Sequence, residues 1–161
     1  MGIASCVVET QSLFVPCLSR LLGEAGLDVA HVAPSIDVAL LAKVRPEALF
    51  VDLDCIEDAP LERLRIARAL LPETLVFVYT HEREPSWFDQ CRTMGADCVV
   101  DKAASEREFA FSLSCAVKAY LASQKKGGSA AGSEGLQVGR CAIGSFGAAP
   151  GGLDGPLRPA P

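Results

Sequence analysis

One short stretch, residues 48–54, most constrains what this chain can fold into. Its sequence is Ala-Leu-Phe-Val-Asp-Leu-Asp, four apolar residues that run directly into Asp52 and then Asp54. A short apolar run that ends in polar residues is typical of a strand buried on both faces of a parallel sheet. Pro46 and Pro60 flank the stretch, and its length suits a strand better than a helix. Ligands of open α/β sheets bind beyond the carboxyl ends of the strands, so Asp52 is a candidate for chemistry. The alternative is that Asp52 merely ends a strand.

The rest of the chain repeats the same unit of an apolar run followed by a helical pattern. Apolar runs predict strands at residues 3–8, 29–33, 48–54, 74–79 and 98–100, and apolar residues at helical spacing predict a helix after each. Ser12 is the expected cap of the first helix, with Leu13 and Phe14 on its apolar face, and Ser35 is expected to start the second. This alternation predicts an α/β fold: a doubly wound five-stranded parallel sheet (flavodoxin-like, order 2-1-3-4-5) with helices on both faces.

The composition changes from about residue 123 onward. The sequence becomes rich in Gly, Ala, Ser and Pro, and it shows little apolar periodicity. Such a segment buries too little apolar surface to offset the entropy lost on ordering. We therefore expect one folded domain over residues 1–122 and a disordered tail over residues 123–161.

Charge and cysteine content exclude several classes of protein. The 161 residues carry a formal net charge of −5, and no block of Lys and Arg precedes Lys125, which argues against nucleic-acid binding. No apolar run is long enough to cross a bilayer, and the N-terminus resembles a first strand rather than an export signal. The seven cysteines show no CxxC spacing, which argues against a disulfide framework or a zinc site. We expect a cytoplasmic protein with reduced thiols and no membrane segment.

Polar residues follow four of the predicted strands, and parallel strands bring them to one edge of the sheet. These residues are Glu9, Thr10, Asp52, Asp54, Thr80 and Lys102. Carboxylates suit Mg²⁺, which takes one or two of them and keeps several waters. A hydroxyl and an ammonium suit the oxygens of a phosphoryl group, and an aspartate can accept that group covalently.

Four stretches, taken in order, resemble the response-regulator receiver domain over about residues 3–121. They are Val7-Val8-Glu9-Thr10, the run from Arg45 to Leu53, Tyr79-Thr80, and the run from Gly95 to Ser105. The last of these is most similar to receivers that carry a helix-turn-helix output domain. The resemblance implies that Asp52 is the phosphoacceptor and that Thr80 and Lys102 bind the phosphoryl oxygens. It also implies Mg²⁺ held by Glu9, Asp52 and the backbone carbonyl of Asp54, whose side chain here is acidic as well.

The sequence also departs from the receiver pattern at several positions. Thr10 replaces the second residue of an acidic pair that usually ligates the metal, and Ala103 replaces a proline after the lysine. Val99 stands where the family has a switch aromatic, and the loop after Asp54 lacks the usual Met-Pro. These departures indicate a divergent receiver in which Mg²⁺ binding is weak and phosphorylation slow or absent.

Two interpretations of function remain open. In the first, the chain is a receiver of two-component (phosphorelay) signal transduction. It takes a phosphoryl group on Asp52 from a histidine kinase or phosphotransfer protein and signals through a downstream protein partner, without being an enzyme. In the second, it is a pseudo-receiver, an interaction module that is not phosphorylated, in which Asp52 and Lys102 form a structural ion pair. A flavin- or nucleotide-binding protein is disfavoured because no Gly-rich phosphate loop follows the first strand. No output domain follows in this sequence, so direct DNA binding is not expected.

Overall fold

Strands and helices alternate strictly along the chain. The computed structural model describes residues 2–127, with side chains as far as residue 125. The elements are β1 Ile3–Val8, α1 Val15–Glu24, β2 Leu27–Ala33, α2 Val38–Val44, β3 Ala48–Asp52, α3 Pro60–Leu70, β4 Leu75–Thr80, α4 Pro85–Thr93, β5 Cys98–Asp101 and α5 Glu106–Gly127. A single 3-10 turn at Leu53–Cys55 begins the connection from β3 to α3.

The five strands form one parallel sheet in the order β2-β1-β3-β4-β5, which confirms the predicted topology. Strand β3, which begins the stretch of residues 48–54, lies at the centre between β1 and β4. Its Phe50 is in register with Val7 on one side and Phe77 on the other. All five residues of β3 are buried, as expected for a central strand with helices on both faces.

Alternate side chains of the strands enter two separate cores, one on each face of the sheet. On one face, Phe50 and Phe77 pack with Leu22 of α1 and Leu113 of α5. On the other face, neighbouring strand residues pack with helices α2, α3 and α4 through the side chains of Leu41, Leu64, Ala67 and Cys91. Helices therefore pack against both faces of the sheet, and this packing fixes the positions of the strand ends.

Two helix starts differ from the sequence-based expectation. Residues 12–14 form a turn in which the Phe14 amide donates a hydrogen bond to the Gln11 carbonyl at 2.9 Å. Helix α1 therefore begins only at Val15. Ser12 does not cap the helix, and the side chain of Leu13 is 92% exposed rather than in the core. Helix α2 starts at Val38 rather than at Ser35, because the Asp37 carboxylate accepts two hydrogen bonds from the first-turn amides at 2.9 and 3.1 Å.

A glycine and an arginine shape the turn that leads into β5. Gly95 has φ +113°, and a Cβ atom there would lie 2.6 Å from the Arg68 side chain. The Arg68 guanidinium donates to the Gly95 carbonyl and to the Thr74 carbonyl, and it pairs with Asp97. Asp97 in turn accepts the Val76 amide at 2.8 Å. This network ties α3 to the start of both β4 and β5.

Helix α5 begins with the predicted capping box and runs past the predicted domain boundary. Ser105 and Glu108 exchange hydrogen bonds between their side chains and each other's amides, with distances of 2.8 and 3.3 Å. The helix extends to Gly127, beyond the boundary predicted at residue 122. The rest of the predicted tail, residues 128–161, lies outside the described part of the chain. Within residues 2–127, no helix combines the length and the apolar character that a bilayer span requires.

Candidate functional site

Asp52 is the last residue of β3, so it lies at the edge of the sheet formed by the carboxyl ends of the strands, between β1 and β4. The residue is only 2% exposed, because the neighbouring strands and their connections surround it. Its Oδ1 atom accepts the Asp54 amide at 2.9 Å, which starts the 3-10 turn. A buried carboxylate is costly unless donors surround it, so the contacts of Asp52 define the site.

Lys102 supplies the main compensating charge. Its Nζ atom lies 2.7 Å from Oδ1 and 2.6 Å from Oδ2 of Asp52, and 2.8 Å from Oδ2 of Asp54. The backbone is held in place by the Lys102 amide, which donates to the Thr80 carbonyl at 2.9 Å. Burial by itself lowers the pKa of Lys102, but the hydrogen bonds and charges of the two carboxylates outweigh it and raise the pKa. The lysine therefore stays protonated as a fixed cation between Asp52 and Asp54.

Asp54 turns its carboxylate toward β4 and β5. Thr80, which is fully buried, donates its hydroxyl to Oδ1 of Asp54 at 2.8 Å. The His81 amide donates to Oδ2 at 2.8 Å, and the His81 ring Nδ1 lies 3.0 Å from the same oxygen. Burial tends to raise the pKa of Asp54, but the hydrogen bonds from Lys102, Thr80 and the His81 amide prevail, so the pKa is lowered. Asp54 is therefore an ionised carboxylate with both oxygens engaged.

Glu9 lies at the same edge, beyond the end of β1. It is 6% exposed, and its Oε1 atom accepts the Gln11 amide at 2.8 Å. Thr10, the residue that replaces the usual second acid, is exposed. A cavity of about 270 Å³ is lined by Glu9, Gln11, Phe14, Asp52, Tyr79, His81 and Lys102. The predicted site residues Glu9, Asp52 and Lys102 thus share one opening, and Thr80 is joined to it through Asp54.

The predicted ligands for a divalent cation are the carboxylates of Glu9 and Asp52 and the backbone carbonyl of Asp54. Glu9 and Asp52 line the cavity, whereas the Asp54 carboxylate is directed to Thr80, His81 and Lys102. Among residues 2–127, no group of three or more His, Cys, Asp or Glu side chains is arranged to hold a metal ion. Two carboxylates in one cavity still match the preference of Mg²⁺ for one or two carboxylates plus water. The Mg²⁺ site at Glu9, Asp52 and Asp54 stays a prediction.

Cys55 and Tyr79 border the charged cluster without joining its chemistry. The Cys55 thiol donates to the Asp52 carbonyl at 3.0 Å, and burial, together with the charges of Asp52 and Glu9, raises its pKa to about 11. This thiol stays neutral and is a poor nucleophile. The Tyr79 ring lies 5.1 Å from the Lys102 Nζ atom and packs against Phe50 and Phe109, so it supports the lysine from the core side.

Sequence reasoning identified the charged residues of the site but missed the roles of His81 and Tyr79. His81 follows Thr80 directly, so its amide was available as a donor at the strand end, and its position alone could have suggested it. Tyr79 belongs to the Tyr79-Thr80 stretch that carries the receiver resemblance, but nothing in the sequence indicates that its ring lies beside the Lys102 ammonium. The direction of the Asp54 side chain had no sequence signal, because it depends on donors that lie 26 and 27 residues away.

Comparison with protein-family models and with curated proteins finds no match for this chain. Comparison with solved structures finds many. A two-component response regulator of the LuxR family from Aurantimonas sp. SI85-9A1 is 16% identical, with a TM-score of 0.66 over 73% of this chain and 86% of that one. The REC domain of AraT, a response regulator from Geobacillus stearothermophilus, is 18% identical, with a TM-score of 0.65 over 77% and 99% of the two chains.

A third similar structure is a response regulator protein from Burkholderia pseudomallei that contains a phosphorylated aspartic acid, a calcium ion and citrate. It is 22% identical, with a TM-score of 0.59 over 78% of this chain and 74% of that one. Structural similarity of this degree establishes the fold, although the sequence identities are low. The chain has the receiver-domain fold of response regulators, as its sequence resemblance predicts.

Proposed function

We propose that this chain, with its receiver-domain fold, acts in two-component signal transduction by accepting a phosphoryl group on Asp52. The observation that supports the proposal most directly is the pair formed by Asp52 and Lys102. A buried carboxylate at the end of the central strand has an ammonium within 2.7 Å of both its oxygens. The structurally similar response regulator from Burkholderia pseudomallei, whose aspartic acid is phosphorylated, lends further support.

The reaction we propose is an exchange of one phosphorus bond for another. An oxygen of Asp52 attacks the phosphorus of a phosphohistidine on a histidine kinase or phosphotransfer protein, forming an O–P bond as the N–P bond breaks. The bonding electron pair returns to the imidazole nitrogen of the donor. Lys102 and Thr80 donate hydrogen bonds to the phosphoryl oxygens, where negative charge collects. The chain is thus an acceptor and signalling module rather than an enzyme.

Glu9, Asp52 and the backbone carbonyl of Asp54 are the groups that would hold Mg²⁺ in this proposal. When bound, the ion supplies positive charge beside the phosphoryl oxygens. Glu9 is held by the Gln11 amide, and Asp52 by Lys102, so both carboxylates are already oriented at the cavity. With Thr10 offering only a neutral hydroxyl, we propose that the affinity for Mg²⁺ is low.

Signal output in this proposal passes to a downstream protein partner through surface contacts, with no direct binding to DNA. The net charge of −5 supports this, because a nucleic-acid surface is normally basic. We place the reaction in the cytoplasm, since free buried thiols such as Cys6 and Cys91 suit a reducing compartment.

A second candidate function is that of a pseudo-receiver, an interaction module that is never phosphorylated. The contacts of Asp54 favour it, because this carboxylate holds Thr80 and Lys102, the two side chains that would bind a phosphoryl group. In that case the ion pair of Asp52 and Lys102 serves the stability of the fold alone.

Incubation with acetyl phosphate, with and without Mg²⁺, followed by intact mass measurement separates the two candidates. If the chain is a receiver, the wild type gains the mass of one phosphoryl group. The Asp52→Asn variant, whose side chain is the same size as the native aspartate, gains no mass. If the wild-type chain and an Asp54→Ala variant, which frees Thr80 and Lys102, both stay unmodified with acetyl phosphate and with phosphoramidate, the phosphoacceptor function is refuted and the pseudo-receiver function is supported.

A further inference from the structure

The carboxylate of Asp54 has more hydrogen-bond donors than a surface aspartate needs. Its Oδ1 atom accepts the Thr80 hydroxyl at 2.8 Å, and its Oδ2 atom accepts the His81 amide at 2.8 Å and lies 2.8 Å from Lys102 Nζ. The side chain is 31% exposed, so part of it faces solvent while both oxygens are bound. A hydroxyl, a backbone amide and an ammonium that converge on two oxygens constitute a binding site for an oxyanion.

These donors are the ones that a phosphoryl group on Asp52 would need. Lys102 bridges the two carboxylates, with its Nζ atom 2.6 Å from Oδ2 of Asp52 and 2.8 Å from Oδ2 of Asp54. A phosphoryl group attached to Asp52 would therefore lie against the same ammonium. The neighbouring strand β4 ends at Thr80. The Thr80 hydroxyl and the His81 amide are therefore the donors nearest in the sheet to a phosphoryl group on Asp52.

We propose that Asp54 is an internal competitor of the phosphoryl group: its carboxylate occupies the oxyanion donors of Thr80, His81 and Lys102 and must leave them before Asp52 can be stably phosphorylated. This inference rests on the proposed function, and it adds a gating role for a residue that the acceptor chemistry does not itself require. The site takes one anion at a time, either the carboxylate or the phosphoryl group, because both are negative and both need the same three donors.

The position of Asp54 allows the exchange without unpacking the core. The residue lies in the single 3-10 turn Leu53–Cys55, and its partly exposed carboxylate can rotate into water about the side-chain bonds. Its backbone amide, which donates to Asp52 Oδ1 at 2.9 Å, need not move. The cost of release is the loss of charge-assisted hydrogen bonds, each worth about 1.5–3 kcal/mol, which corresponds to roughly tenfold or more in rate or affinity.

The first experiment measures phosphorylation rates by intact mass with acetyl phosphate as donor. It compares the wild-type chain with Asp54→Ala and Asp54→Asn, the second of which keeps the size and one oxygen of the native side chain. Asp58→Asn is the matched control, because Asp58 is an exposed carboxylate in the same connection and its replacement removes the same charge. We expect both Asp54 variants to react about tenfold or more faster than the wild type, and the control to react at the wild-type rate. Equal rates for the wild type and both Asp54 variants would overturn the inference while leaving the proposed function intact.

The second experiment tests the donor site without any covalent chemistry. Inorganic phosphate is titrated into each variant while the amide resonance of His81 is followed by NMR. Asp54→Ala should show saturable binding at least about tenfold tighter than the wild type, since its donors are unoccupied. Equal phosphate affinities in the wild type, Asp54→Ala and Asp58→Asn would overturn the inference. The phosphate titration does not require that any variant be phosphorylated. It can therefore distinguish failure of the gating role of Asp54 from failure of the phosphoacceptor function of Asp52. Thermal midpoints of all variants verify that each is folded.

Discussion

The Nζ atom of Lys102 lies 2.7 and 2.6 Å from the two carboxylate oxygens of Asp52, so a buried charge at the end of β3 and one just after β5 neutralise each other. The side chains are 8% and 2% exposed. Charges buried to this degree are tolerated only as a pair, because each alone would lose its hydration without compensation. The pair therefore matters to the stability of the sheet edge and also to any chemistry at Asp52.

Replacing Lys102 by Met should destabilise the protein strongly. The substitution leaves the Asp52 carboxylate buried and unpaired, which costs about 3–5 kcal/mol of unfolding free energy. Urea denaturation measures the change, and Lys43→Met, at an exposed position of α2, should stay within about 0.5 kcal/mol of the wild type. The double variant Asp52→Asn with Lys102→Met should recover part of the loss. A single variant as stable as the wild type would show that the pair does not stabilise the fold.

The contribution of Asp54 to stability should depend on pH in the acid range. The pKa of Asp54 is lowered in the folded protein, whereas in the unfolded chain it is about 3.9. The ionised carboxylate therefore stabilises the fold at pH values above the unfolded pKa. That stabilisation is lost as the pH falls through the lower pKa of the folded state. The stability difference between the wild type and Asp54→Asn should therefore shrink between about pH 6 and about pH 3. Urea midpoints at each pH test this, with Asp58→Asn as the exposed control. A difference that stays constant over this range would contradict it.

Restoring a carboxylate at position 10 should strengthen Mg²⁺ binding. Thr10 is exposed beside Glu9, and Thr10→Asp adds a charged oxygen ligand to a site with two carboxylates in the cavity. The added charge repels Glu9 and Asp52, so without Mg²⁺ the variant should be less stable than the wild type. Thermal midpoints recorded across a Mg²⁺ titration report both effects. If the two proteins respond to Mg²⁺ equally, position 10 is not the missing ligand and the alignment of β1 with the receiver motif is wrong.

Two glycines should respond in opposite directions to replacement by alanine. Gly95 has φ +113°, and an added Cβ would meet Arg68 at 2.6 Å, so Gly95→Ala should lower the unfolding free energy by about 1–3 kcal/mol. Gly23 lies in α1 with nothing within 4 Å of an added Cβ, so Gly23→Ala should raise it by about 0.5–1 kcal/mol. Chemical denaturation of both variants tests the prediction. A Gly95→Ala protein as stable as the Gly23→Ala protein would show that the Arg68 contact is not tight.

The topology of the sheet and the residues that make up the site follow from the sequence pattern. Apolar runs of strand length, each followed by apolar residues at helical spacing, predict a parallel sheet covered by helices. The polar residues that follow those runs then lie together at one edge of the sheet. The sequence alone therefore assigns Asp52, Thr80 and Lys102 to one edge of the sheet. Burial of β3 on both faces followed from the same pattern, because a central parallel strand has no polar face.

Local starts of helices were less predictable, because several polar residues compete for the same role. Ser12 and Ser35 had the chemistry of a cap, yet α1 begins after a turn at residues 12–14, and Asp37 caps α2 with a carboxylate that reaches two amides. The choice among such residues depends on where the helix must start to pack against the sheet. Leu13 is exposed because it lies in the turn before α1 and not on the buried face of the helix.

The contacts of the Asp54 side chain depend on the folded sheet. The sequence position of Asp54, two residues after Asp52, implies a metal-binding backbone carbonyl but gives no partner for the carboxylate side chain. Its carboxylate is directed instead to Thr80, His81 and Lys102, donors that only the folded sheet brings together. A side chain follows the hydrogen-bond donors within its reach, and those donors come from strands that are distant in sequence. The edge at which Asp54 lies could thus be predicted from the sequence, whereas its partners could be identified only from the folded structure.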